Sequence, residues 1–132
     1  MIFVDSNVPM YLVGSDPSRK AETSRLLQRL ANEGQQLVTD AEVYQEILHR
    51  YLSIARRDAI QPAFDALHGI VDHVFPIDEA DVMHAKDLVG MHPRLSARDA
   101  VHVAVMRHHG VDRVLSFDRG FDTVAGLQRL PT

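Results

Sequence analysis

The stretch Met1-Ile2-Phe3-Val4-Asp5, residues 1–5, is four apolar residues that deliver a carboxylate. A short unbroken apolar run suits a strand covered on both faces, as strands of a parallel sheet are. Asp5 then stands where the chain leaves the sheet, and open α/β sheets bind their ligands at the carboxyl ends of the strands. Val114-Leu115-Ser116-Phe117-Asp118 makes the same move, an apolar run closed by an acid.

Outward from residue 5 and beyond Pro9, Gly14-Ser15-Asp16-Pro17 reads as turn, and Ala21, Leu26, Leu27, Leu30 and Ala31 predict an amphipathic helix over 18–32, stopping before Gly34. Leu37-Val38-Thr39-Asp40 predicts a second strand, with Thr39 or Asp40 capping the helix after it. In that helix Val43, Tyr44, Ile47, Leu48, Tyr51 and Ile54 form an apolar stripe, with Arg50, Arg56 and Arg57 in its later turns. The pattern continues with a helix over 62–69, a strand over 71–77, helices over 79–89 and 97–108, a strand over 113–117 and an edge strand over 127–130. Strands alternating with helices predict an α/β parallel sheet, because parallel neighbours need crossover connections. At 132 residues the chain is expected to form one domain over 1–132.

Composition narrows the partners. No run approaches the roughly 18 apolar residues of a membrane span. The opening residues lack the basic and apolar segments of a secretion signal, and cysteine is absent, so a cytoplasmic protein without a disulfide or Cys-zinc site is expected. A net charge of −4 gives no overall basic surface, so any nucleic acid must be met locally.

The acids carry the chemistry. Asp5 and Asp118 close apolar runs, although Asp5 also suits a cap over Ser6 and Asn7. Asp122, one helical turn beyond Asp118, is a supplementary candidate, although Asp-Arg-Gly is ordinary turn chemistry. Asp99 follows Ser96 by three and fits a capping box, yet the helix it opens is apolar nearly all round and therefore central. Glu42 and Glu46 share a helix face, where their repulsion calls for a cation, while Glu46 alone suits an ion pair with Arg50. Acids arriving from two strand ends and two helix starts match what a hard divalent cation requires, which points to Mg²⁺ or Mn²⁺. The histidines form no His-x-x-x-His pair for zinc, and His108 and His109 suit a helix C-terminus.

Taken in order, Ile2-Phe3-Val4-Asp5-Ser6-Asn7, Glu46, Arg98-Asp99-Ala100-Val101-His102 and Leu115-Ser116-Phe117-Asp118 resemble the successive motifs of PIN-domain proteins, nearest in length and layout to VapC-type toxins of toxin–antitoxin pairs. The resemblance implies a three-layer α/β/α fold with a parallel four- to five-stranded sheet. It implies that Asp5, Glu46, Asp99 and Asp118 are the catalytic and metal-binding acids, with Asp122 a possible supplement and Ser116 a polar neighbour. The choice of Glu46 over Glu42 rests on the family's spacing. An RNA substrate cut by metal-activated water, a cognate antitoxin protein and a homodimer are implied as well. Arg50, Arg56, Arg57, Arg94, Arg98 and Arg119 are candidates for phosphate contact, and Tyr11, Leu12, Tyr51 and Leu52 for a protein-binding surface or for core. Two rival readings stand beside this one: a PIN-like module that binds RNA or protein without cutting, and a phosphatase forming an aspartyl phosphate on Asp5. The second lacks an acid at Asn7 and a lysine near a strand end, Lys20 and Lys86 being the only lysines.

Overall fold

The structure is a computed structural model that describes residues 1–131. Five strands form one parallel sheet: β1 (Ile2–Val4), β2 (Leu37–Asp40), β3 (His73–Phe75), β4 (Arg113–Leu115) and β5 (Gln128–Leu130), in the spatial order β3-β2-β1-β4-β5. Six helices flank it: α1 (Asn7–Val13), α2 (Pro17–Asn32), α3 (Ala41–Ser53), α4 (Ile60–Ile70), α5 (Glu79–Met91) and α6 (Ala97–His108), with short 3₁₀ turns at Arg57–Ala59 and Arg119–Thr123. The chain steps from β1 to β2 to β3 and then returns past β1 to β4. Right-handed crossovers place the α5–α6 connection on the face opposite the earlier ones. That reversal makes the gap between the ends of β1 and β4 the switch point of the sheet, where a site is to be sought.

Local chemistry sets the helix starts. Asp16 accepts from the amides of Ser18 (3.0 Å) and Arg19 (3.2 Å), with Pro17 pre-setting the first turn of α2. Asp78 and Asp81 exchange the two bonds of a capping box at the start of α5. Asp40 Oδ1 accepts from Val43 N at 3.0 Å and starts α3. The buried apolar side chains form one continuous cluster in which Phe3, Ile47, Leu67, Leu88 and Leu115 are fully enclosed. Among the described residues no helix is long and apolar enough to cross a membrane.

Several expectations need correction. Residues 7–13, for which the sequence pattern predicts no element, form α1, and Pro9 is tolerated there because a proline in the first turn removes an N–H that has no helical partner. Helix α3 ends at Ser53 and the chain turns away through Ala55 at φ 56°, so Arg56 and Arg57 lie beyond it. Strands β3 and β4 are only three residues long, which leaves Asp118 three residues past the end of β4 rather than one. Ile54 is exposed rather than part of the buried stripe, Tyr51 is core, and Leu52 is exposed.

Packing predicts the stability of this scaffold. Leu67→Ala, at a fully buried position, is expected to cost about 2–5 kcal/mol. Leu48→Ala, on the same stripe as Ile47 but 39% exposed, is expected to cost about 0.5 kcal/mol or less. Urea unfolding followed by circular dichroism measures both, and equal costs would contradict the burial pattern.

Candidate active site

Asp5 follows β1 directly and is 2% exposed. Its backbone N–H donates to Leu115 O at 3.0 Å, tying the end of β1 to β4. Its Oδ1 accepts from Ser6 N at 2.8 Å and its Oδ2 from Ser116 Oγ at 2.6 Å. The Ser116 hydroxyl in turn accepts from Asn7 Nδ2 (3.1 Å) and from Asp118 N (3.0 Å). Asn7 Oδ1 accepts from Phe117 N at 3.3 Å, so the first residue of α1 spans the two strand ends. Ser116 thus has the supporting place expected of it.

Glu46 sits one turn into α3, where Oε1 accepts from Ser6 Oγ at 2.8 Å. Glu42 instead faces Arg98 Nε at 3.6 Å, which separates the two glutamates that the sequence left paired on one face. Arg50 lines the cleft beside Glu46, whose carboxylate is engaged by Ser6 and His102. Asp99 lies at the start of α6, where its amide donates to Ser96 Oγ at 3.1 Å. Among the described residues its carboxylate makes no return bond to the Ser96 amide, unlike the reciprocal pair at α5. The capping reading is therefore half satisfied, and the acid itself is free to face Asp5 and Asp118. Asp118 caps the following 3₁₀ turn through Gly120 N at 2.9 Å and lines the cleft beside Asp99.

Asp122 is not brought to this cluster. It is held by Arg129, with Nε and Nη2 at 2.8 and 3.3 Å, and these bonds lower its pKa. The turn that carries it is 3₁₀, with 3.0 residues per turn, so four residues after Asp118 overshoot the cleft by about 120°.

Two residues with no expected role in the site stand beside it. His102, three positions after Asp99 on α6, is fully buried against the Phe3 ring. Its Nδ1 lies 2.8 Å from Asp40 Oδ2, and its Nε2 lies 3.4 Å from Glu46 Oε2 and 4.0 Å from Asp5 Oδ1. Asp40, recognised only as a cap, spends one oxygen on Val43 and the other on His102. A polar residue at i+3 from an acid on an otherwise apolar helix was the available signal.

The charges strain against one another. Burial pushes Asp5 up, with His102 and Ser116 opposing. Burial, then the charges of Asp5 and Asp118, push Asp99 up to about 8. Burial would also raise Glu46, but hydrogen bonds from His102 and Ser6 bring it below the ordinary value. For His102 burial disfavours the imidazolium, yet Asp40, Glu46 and Asp5 hold its pKa well above normal. One ligand atom each from Asp5, Glu46, Asp99 and His102 lies within 4.8 Å of the others. A buried carboxyl forced to keep its proton, inside an oxygen-rich cluster of that span, fits a divalent cation. The outer wall of the cleft is Met10, Tyr11 and Phe117, the two aromatic rings edge-to-face at 5.2 Å with the Arg19 guanidinium 4.9 Å from Phe117. Tyr11 therefore lines the site, whereas Leu12 borders a separate apolar groove with Leu27 and Ile70.

Residues 2–127 match the sequence profile of the PIN domain family. The chain is 58% identical over 130 residues to ribonuclease VapC13 of Mycobacterium tuberculosis, covering 98% of this chain and 99% of the relative. Among solved structures it resembles VapC20 of M. tuberculosis, a sarcin-ricin loop cleaving toxin, with a TM-score of 0.69 and 23% identity over 90% of this chain and 91% of that one. It also resembles a chain of a toxin–antitoxin complex from Klebsiella pneumoniae, with a TM-score of 0.64 and 14% identity over 96% and 95%.

The raised Asp99 has a consequence for metal-free protein. Folding favours its protonated form, so that stability is complete below the unfolded carboxylate value of about 4 and is lost as pH rises through about 8. In EDTA, Tm is expected to fall between pH 6 and pH 9, and Asp99→Asn is expected to flatten the fall. Equal pH slopes for the two proteins in a thermal-shift series would contradict this electrostatic account.

Proposed function

The chain belongs to the PIN domain family, and from that premise we propose that it is a metal-dependent endoribonuclease, the toxin of a toxin–antitoxin pair. The observation that carries the reading is the gathering of Asp5, Glu46, Asp99 and Asp118 from four separated elements beside one open cleft. Asp5, Glu46 and Asp99 would hold the cation, Mg²⁺ or Mn²⁺, with Asp118 at its margin. When bound, the cation supplies a lowered pKa for water and neutralises charge developing on the scissile phosphodiester.

The side chains around it have distinct work. Ser116 and Ser6 hold Asp5 and Glu46 in their facing positions through hydroxyl donors. Asp118, steadied by Gly120, offers an acceptor that orients the attacking water. Arg50 offers charge to a phosphate beside Glu46, and Tyr11 with Phe117 offers faces on which an unpaired base can stack. The acids alone repel RNA, so a cation held by them would be needed before RNA could settle productively. An aspartyl-phosphate route does not suit Asp5, which is buried with both oxygens engaged. We further propose that residues 1–132 act as one nuclease domain, in the cytoplasm, as a homodimer that a cognate antitoxin protein silences. VapC13 is named a ribonuclease, and a toxin–antitoxin complex shares the fold.

Purified protein incubated with structured RNAs and Mg²⁺ or Mn²⁺ is expected to cleave them, with activity lost in EDTA and lowered about 100-fold or more in Asp5→Asn. Cleavage that survives both controls would sink the mechanism. Phe117→Ala is expected to raise KM for a single-stranded substrate about tenfold with little change in kcat. A kcat loss at constant KM would instead assign Phe117 to the chemistry.

A further inference from the structure

We propose that His102 is a direct ligand of the cation through Nε2, with Asp40 as the acceptor that fixes its ring, which makes the centre a mixed nitrogen and oxygen site. The inference rests on the metal-dependent nuclease reading and adds to it a ligand outside the four acids.

The argument starts from where the ring is held. His102 and Asp99 lie three apart on α6 and so share a face, and that face opens on the ends of β1 and β2. Asp40, itself fully buried, accepts from His102 Nδ1 at 2.8 Å. A carboxylate placed there fixes both the proton on Nδ1 and the plane of the ring, and it leaves Nε2 directed at Glu46 and Asp5, where a cation would take the place of the Nε2 proton, which leaves to solvent. Metal-ligating histidines are held in this way, their second nitrogen donating to a carboxylate.

The separations on the other side fit a shared ion better than a direct bond. Hydrogen bonds from nitrogen to oxygen close to about 2.7–3.2 Å. Nε2 stands at 3.4 Å from Glu46 Oε2 and 4.0 Å from Asp5 Oδ1, long for one and too long for the other. Around an octahedral ion with bonds of about 2.1 Å, adjacent donors are about 3.0 Å apart and opposite ones about 4.2 Å. Both distances lie within that span. The remaining acceptor capacity is consistent: Glu46 Oε1 is taken by Ser6, which leaves Oε2 facing Nε2, while Asp5 Oδ1, also facing Nε2, accepts one bond from Ser6 N and keeps a second lone pair. An imidazole donor among carboxylates moves preference away from Mg²⁺, which favours an all-oxygen shell, and toward Mn²⁺.

The test is pulsed electron paramagnetic resonance on tag-free full-length protein loaded with one equivalent of Mn²⁺, with and without ¹⁵N-histidine labelling. The expected result is a directly coordinated histidine nitrogen coupling that changes on labelling and disappears in His102→Gln. Mn²⁺ affinity, measured by calorimetry, is expected to fall about tenfold or more in Asp40→Asn. The wild-type spectrum needs no variant to fold. Bound Mn²⁺ without a nitrogen coupling would overturn the ligand assignment while leaving the nuclease reading intact if RNA is still cut. A coupling that persists in His102→Gln would overturn it as well. Failure to bind Mn²⁺ or Mg²⁺ at all would overturn both.

Discussion

Asp5 and Asp118 lie near enough to Asp99 that the charge of each raises the cost of ionising it, and Asp5 and Asp99 are taken almost wholly out of water. Like charges under cover repel more strongly than on a surface, since the screening that water supplies is reduced. Every neighbour of the cluster answers that repulsion in some way. Ser6 and Ser116 direct hydroxyl protons at the acids, the Ser6 amide does the same, and the His102 imidazole faces three carboxylates. What these donors leave uncompensated falls on Asp99, whose pKa is pushed up to about 8.

The sheet makes such a cluster possible by its order. With β1 in the centre and the chain reversing between β3 and β4, the ends of β1 and β4 lie side by side at the switch point of the sheet. Asn7 closes the seam from below, donating to Ser116 and accepting from Phe117, and it can do so because α1 begins immediately at the end of β1. A short helix with proline in its first turn is therefore part of the site's foundation. The same economy recurs at the caps. Asp40 starts α3 with one oxygen and holds His102 with the other, and Asp118 starts a 3₁₀ turn while facing Asp99. Asp78 and Asp81 show the contrast, since their reciprocal bonds complete a capping box at the start of α5. A capping role and a site role are thus compatible for a carboxylate, which has two oxygens to spend.

The amino-acid sequence by itself determined the α/β class, the parallel sheet and most of the elements, because apolar runs of strand length and stripes of helical period are local properties that burial then rewards. It also marked Asp5 and Asp118 through the apolar runs that end on them, and α6 as central through its all-round apolar surface. Tertiary structure alone decided which acids meet. Glu42 and Glu46 are equivalent along the helix and are told apart by their long-range partners, Glu46 by Ser6 and His102 and Glu42 by Arg98 at 3.6 Å. Asp122 was lost because the segment after Asp118 winds as a 3₁₀ turn and because Arg129, seven residues on in β5, lies near enough to take it. His102 and Asp40 are 62 positions apart, so no local pattern could pair them; their bond exists because the fold buries both side chains completely at the same place, where polar groups must find one another.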